Sequence, residues 1–217
     1  MEKYISINEA ADLIKDGMTI MIGGFMGVGT PEILIDAILE KGVKDLTVIA
    51  NDTGFPDKGI GKLVTNKRIK RVIASHIGLN PETGRQMNAK ELIVDLVPQG
   101  TLAEQIRCGG AGIGGFLTET GVGTIVEEGK KKIKVGNTEY LLELPLRADI
   151  ALVGGSVADK SGNIYYNGSK RNFNPLIATA ADLVIVGAER IVEVGELDPN
   201  HVMTPGIFVD YIVGGEK

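Results

Sequence analysis

The sequence predicts an α/β fold: a mainly parallel open sheet covered by helices on both faces, with a small β-hairpin insertion. Three observations carry this. Short apolar runs of strand length alternate with segments of helical period. Helix start and stop signals separate them. One stretch, Lys131–Leu144, instead alternates around a Gly136-Asn137 turn, the pattern of a hairpin.

In chain order, Ser6-x-x-Glu9 is a capping box that opens a short helix through Lys15. Met18–Ile22 is a buried strand that breaks at once into Gly23–Gly29. Thr30 is then expected as an N-cap and Pro31 as the first residue of an amphipathic helix, Pro31–Glu40, stopped by Gly42. Leu46–Ala50 is a strand ending at Asn51-Asp52, and Val72–Ser75 another ending at His76. Leu92–Val97 ends at Pro98-Gln99, and Thr101-x-x-Glu104 reads as a second capping box for a helix Leu102–Cys108. After the hairpin, Asp149–Val153 and Leu183–Val186 are strands again, separated by a helix Pro175–Ala181 capped by Asn174. No internal repeat or low-complexity linker interrupts the chain. Its 217 residues suit one domain spanning 1–217, because single cores grow to about 250 residues before chains divide.

Composition excludes several functions. Aromatic residues make up 5% and Trp is absent, which argues against stacking platforms for nucleic acid. The net charge of −5 disfavours non-specific binding to nucleic acid or to an anionic membrane. The basic clusters Lys67-Arg68-Ile69-Lys70-Arg71 and Lys130-Lys131-Lys132 read as solvated rims, with contact to the phosphates of a large ligand as the alternative. Cys108 is the only cysteine and His76 and His201 the only histidines, so neither an intrachain disulfide nor a usual Cys/His zinc site is expected. The N-terminus lacks a signal-peptide core, and no apolar run approaches the roughly 18 residues of a membrane span. A cytoplasmic location is expected.

The segment Asp16–Pro31 is the most specific. A glycine-rich turn between strand and helix leaves room for backbone N–H groups to face a ligand, and the helix start adds about half a positive charge. No lysine follows the glycines, so this is not a P-loop. A G-x-G-x-x-G spacing does occur at Gly110–Gly115, but behind a helical segment rather than a strand, where dinucleotide binding is not expected. In open α/β sheets, ligands sit beyond the carboxyl ends of the strands. Gly23-Gly24, Asn51-Asp52, His76 and Gln99 all lie there.

These residues also resemble a known family. Asp16-Gly17, Ile20-Met21-Ile22, Gly23-Gly24-Phe25, Gly29 and Pro31 match every fixed position of the first signature of the class I coenzyme A transferases. Three further blocks look like that family's α subunit: Ala50-Asn51-Asp52-Thr53-Gly54, the segment Pro98–Arg107, and Arg171-Asn172-Phe173-Asn174-Pro175. The resemblance implies CoA transfer between short-chain acyl-CoA and acids such as acetate, butyrate or acetoacetate, by way of a glutamyl thioester. The family carries that glutamate in a Ser-Glu-Asn-Gly motif of the β subunit. No such motif occurs here, so no catalytic residue is expected in this chain, and a β subunit, in an α2β2 assembly, is expected as partner. No metal or organic cofactor is implied.

By the same resemblance, Gly24, Phe25, Met26, Gly27, Val28, Gly29 and Thr30 bind coenzyme A, while Asn51 and Gln99 orient the acyl or thioester oxygen. Read without it, Asn51 is a turn residue after a strand and Gln99 a loop residue capping the next helix. Glu9 and Glu104 read as capping-box residues, Glu32 as a helix first-turn residue, and Glu127-Glu128 as a helix end. His76 and Cys108 read as structural. Some relatives carry Asn-Asn where this chain has Asn51-Asp52, and a carboxylate there must be turned away or paired if an anionic acid is to bind. Two other readings stay open: a non-catalytic CoA-binding module, and a sugar-phosphate isomerase using Asp52 and His76.

Overall fold

The structure is a computed structural model that describes residues 3–215. The outermost residues of the predicted 1–217 span lie outside the described residues. Helix α1 (Ile7–Leu13) precedes β1 (Thr19–Ile22), α2 (Glu32–Lys41), β2 (Leu46–Asp52) and α3 (Ile60–Thr65). Then follow β3 (Ile69–His76), α4 (Pro81–Asn88), β4 (Ile93–Leu96) and α5 (Gln99–Ala111). A small-sheet segment contributes β5 (Phe116–Thr118), β6 (Lys132–Val135) and β7 (Thr138–Glu143). The chain ends with β8 (Ala148–Asp159), β9 (Ile164–Tyr165), α6 (Asn174–Ile177), β10 (Ala181–Val192) and β11 (Tyr211–Gly214).

The main sheet runs in the order β11-β10-β8-β1-β2-β3-β4, all parallel, with β9 attached antiparallel to β8. Alternation along each strand divides its side chains between two cores. Ile20 and Ile22 of β1 pack with Leu34, Ile35 and Ile38 of α2 on one face. Met21 packs with Leu102 and Ile106 of α5 and Ile177 of α6 on the other. Helices therefore cover both faces, as the sequence predicts. The predicted hairpin forms as β6 and β7, and β5 joins it to make a three-stranded antiparallel sheet.

The first capping box is present: Ser6 and Glu9 close it reciprocally. Its helix stops at Leu13 rather than Lys15, because Ile14 turns extended and is fully buried. Gly42 ends α2 in the left-handed region, as expected.

Three predicted caps are corrected. Pro31, not Thr30, occupies the N-cap of α2. The Thr30 hydroxyl instead lies against Gly24, where an added Cβ would meet it at 2.0 Å. Helix α5 begins at Gln99, two residues before Thr101, so Thr101-x-x-Glu104 sits inside the helix and caps nothing. Glu104 pairs there with Arg107 at 2.6 Å. Asn174 is the first residue of a shorter helix than Pro175–Ala181, and its side chain is engaged elsewhere.

Strands β8 and β10 are each 12 residues long, more than twice the apolar runs that marked them. Gly154-Gly155 and Gly187 interrupt those runs without ending the strands. Gly110–Gly115 lies at the end of α5, which Gly112 terminates in the left-handed region, so it does not have the strand-to-helix setting of a dinucleotide site.

Candidate functional site

From β1 the chain adds β2, β3 and β4 outward on one side, then returns to place β8 on the other. The order of strands therefore reverses between β1 and β8, the position where open α/β sheets form a crevice. The glycine loop emerges at that point: Gly23 N–H donates to Leu152 O of β8 at 3.0 Å. Phe25 and Val28 exchange backbone hydrogen bonds of 3.0 and 2.9 Å across a two-residue turn. Met26 and Gly27 form that turn with φ of 53° and 80°, the left-handed pair that closes a tight hairpin.

Three side chains hold this loop. Asn172 Oδ1 accepts from Gly24 N–H at 3.0 Å, and its Nδ2 donates to Val28 O at 2.8 Å. Asn174, fully buried, accepts from Gly154 N–H at 2.8 Å and donates to Gly29 O at 2.9 Å. Asp52 accepts from Met26 N–H at 3.1 Å. The block Arg171–Pro175 is thus a buttress under the loop, a role that only the contacts define.

The loop's backbone is less available than its glycines suggest. The N–H groups of Gly23, Gly24, Phe25, Met26 and Val28 are all engaged within the protein. Those of Gly27, Gly29 and Thr30 have no protein partner among the described residues. Outward, the turn shows apolar side chains, with Phe25, Met26 and Val28 exposed by 42%, 40% and 43%.

Asn51 and Gln99 meet on the α5 side of the rim. Asn51 is not a turn residue but part of β2, and only 5% exposed. Gln99 is not in a loop but opens α5. Gln99 Nε2 donates to Asn51 Oδ1 at 2.7 Å. The Ser75 hydroxyl of β3, which the sequence did not single out, lies within hydrogen-bond reach of both Gln99 Oε1 and, at 2.8 Å, Asn51 O. Among the described residues Asn51 Nδ2 has no protein partner, which leaves it as a donor at the carboxyl end of β2. Among the described residues no hydrogen bond joins Asn51 or Gln99 directly to the glycine loop. The link runs through Asp52, the next residue of β2.

Asp52 is 2% exposed and faces the opposite side of the sheet from Asn51, toward the loop. Burial raises its pKa above the ordinary carboxylate value, while the N–H groups of Met26 and Gly54 and the nearby His76 pull the other way. His76 stands beside it in parallel register. The carboxylate is therefore paired with backbone and turned away from the Asn51 donor.

A sequence profile described as coenzyme A transferase matches residues 4–215. The chain belongs to the coenzyme A transferase family. It is 59% identical over 215 residues to the acetate CoA-transferase subunit alpha of Escherichia coli K12, covering 99% of this chain and 98% of that one. It is 54% identical over 211 residues to the acetoacetyl-CoA:acetate/butyrate CoA transferase alpha subunit of Clostridium acetobutylicum, covering 97% of each. In three dimensions it is similar to an acyl-CoA transferase of Escherichia coli O157:H7, with a TM-score of 0.85 at 24% identity. That match covers 98% of this chain but 47% of the other, so this chain spans about half the length of that protein.

Glu9, Glu32, Glu104 and Glu127 of this transferase-family chain have structural partners. Glu32 accepts from Gly59 N–H at 2.8 Å and pairs with Lys62 at 2.7 Å. Glu127 accepts from Gly123 N–H at 2.7 Å, at the end of a short 3-10 turn. Cys108 is buried inside α5. Among the described residues no cluster of three or more His, Cys, Asp or Glu side chains is arranged to hold a metal, and no helix is long and apolar enough to cross a membrane.

A groove of about 890 Å³ opens on the α2 side of the loop. Residues Gly27–Ile33, the middle of β8 and β10 and the end of β11 line it, with Glu32, Lys170 and Glu189 as charged members. Close backbone approach shapes its floor: a Cβ on Gly154 would lie 2.2 Å from Gly29 O. The loop residues from Gly27 to Thr30 thus border a groove on one face, while the Asn51–Gln99 pair lies on the other face of the sheet.

Proposed function

We propose that this chain is the α subunit of a heteromeric CoA-transferase that moves CoA between short-chain acyl-CoA and acids such as acetate, butyrate or acetoacetate. The observation that carries this reading is an incomplete site. The Asn51–Gln99–Ser75 network offers an amide donor at the sheet rim, yet Glu32, the glutamate beside the glycine loop, is held in structural contacts with Gly59 and Lys62. Full-length likeness to chains named as alpha subunits supports it, as does the half-length match to an acyl-CoA transferase.

In this reading a β subunit, in an α2β2 complex, supplies a glutamate. Its carboxylate attacks the acyl thioester carbon and the CoA thiolate leaves, giving a mixed anhydride. The thiolate then attacks the glutamyl carbonyl, forming a glutamyl–CoA thioester and expelling the free acid. The second acid reverses both steps. Asn51 and Gln99 orient the thioester oxygen and stabilise the charge that develops on it. Residues Gly24–Thr30 bind coenzyme A, with the free N–H groups of Gly27, Gly29 and Thr30 as donors and Phe25, Met26 and Val28 as apolar contacts. No metal or organic cofactor takes part, and the complex works in the cytoplasm.

The test measures CoA transfer from an acyl-CoA to labelled acetate, using this chain alone and co-expressed with its β subunit. Turnover only in the complex is expected. Turnover by the chain alone would overturn the half-site reading and direct attention to Glu32 and Asp52.

A further inference from the structure

Ala50 of β2 pairs with Ala74 of β3, so Asn51 and Ser75 leave the sheet side by side, and Gln99 comes in from α5 above them. Five polar atoms then meet: Ser75 Oγ, Asn51 O, Gln99 Oε1 and Nε2, and Asn51 Oδ1. A serine hydroxyl has one proton to donate, and here two acceptors are in reach, Asn51 O and Gln99 Oε1. The choice matters because it propagates. With the proton on Gln99 Oε1, Gln99 Nε2 donates to Asn51 Oδ1, and Asn51 Nδ2 is left as a donor at the rim. With the proton on Asn51 O, Ser75 Oγ is free to accept from Gln99 Nε2. Gln99 Oε1 then accepts from Asn51 Nδ2, and Asn51 Oδ1, an acceptor, faces the rim. Both chains satisfy the two amides, so the pair alone selects neither. In the structure Ser75 Oγ lies nearer to Gln99 Oε1 than to Asn51 O, and Gln99 Nε2 donates to Asn51 Oδ1, which is the first chain. Only the first can stabilise a developing oxyanion.

We propose that Ser75 is a positioning residue, acting through Gln99, that holds the Asn51 amide with its N–H outward. The inference rests on the transferase reading above. Ser75 does not touch the substrate in this account; it sets the polarity of the pair that does.

The test is a double-mutant cycle in the α–β complex. Steady-state CoA transfer is measured for wild type, Ser75→Ala, Gln99→Ala, the double variant and Ser75→Thr. Activity of the wild-type complex establishes the transferase reading independently. On that background, Ser75→Ala is expected to lower kcat about tenfold, part of the ~10²-fold typical of losing an oxyanion donor outright, with KM for the acid changed less than about threefold. In the Gln99→Ala background, Ser75→Ala should remove little more, since the residue through which it acts is gone. Ser75→Thr, which keeps the hydroxyl, should restore kcat to within about threefold of wild type. If Ser75→Ala does not assemble, Ser75→Cys, a weak donor of similar size, takes its place in the cycle. Unchanged kcat in the single variant, fully additive losses in the cycle, or no recovery by threonine would each overturn the proposal.

Discussion

Gln99 and Asn51, 48 residues apart in sequence, are joined by one hydrogen bond of 2.7 Å from Gln99 Nε2 to Asn51 Oδ1. That bond uses the acceptor of Asn51 and leaves its N–H groups. It converts two residues with ordinary local readings, a strand end and a helix start, into a directed donor at the carboxyl rim of the sheet.

Asn51→Ala in the α–β complex should therefore lower kcat by about 10²-fold, the usual effect of removing one oxyanion donor. The folded state should change less, because the residue lies at the end of β2. Steady-state kinetics and a thermal melt of the same sample separate the two effects. A kcat within twofold of wild type would contradict the assignment.

Glu32→Gln tests the opposite claim. A glutamine keeps an oxygen for Gly59 N–H and loses only the charge toward Lys62, a partly exposed pair of small energetic weight. Transfer activity of the complex should stay within about twofold of wild type, whereas a nucleophile replaced by an amide would lose several orders of magnitude. Single-turnover assays distinguish these outcomes clearly.

Asn174→Ala should be the most damaging change near the loop. It leaves Gly154 N–H without its acceptor, removes the donor to Gly29 O and Lys170 O, and opens a void in a fully buried position. Leaving buried polar groups unpaired costs about 1–3 kcal/mol each, so a loss of about 3 kcal/mol by denaturant titration is expected. The KM for acyl-CoA should also rise, since the same contacts fix the glycine loop. A stability change under about 1 kcal/mol would show that the loop is held by other means.

Asp52 makes a prediction about pH. Its folded pKa is raised, chiefly by burial. The folded state thus binds the proton more tightly than the unfolded chain does. The resulting stability is complete below the ordinary aspartate pKa and is lost as pH rises through the higher folded value. Asp52→Asn keeps an acceptor for Met26 N–H and removes the ionisation. The variant should therefore gain stability relative to wild type as pH increases from about 4 toward neutrality. Denaturant midpoints of both proteins across that range provide the check. A relative gain on acidification would reverse the sign and refute the account.

Much of this protein follows from its sequence by itself. Apolar runs and their periods mark β1 to β4, β8 and β10 with α2 and α5, the Ser6–Glu9 box starts α1, and Gly42 stops α2, whereas α3, α4, β5, β9 and β11 were not read from the sequence. The glycine loop and the residues beyond the strand ends were also legible, because a strand followed by glycines or amides is a local pattern. What tertiary structure alone decided was the partner of each polar side chain. Thr30, Thr101 and Asn174 have the composition of helix caps, yet none caps its helix. Asn174 instead holds Gly29 and Gly154, 145 and 20 residues away. Ser75 carries no motif, and it matters only because β3 lies beside β2 and α5 begins above both. The reason is physical. Burial of apolar side chains is non-directional and follows a short period along the chain, whereas a hydrogen bond needs its partner within about 3 Å in the right direction. That partner is supplied by whichever strand becomes the neighbour, which local sequence does not specify.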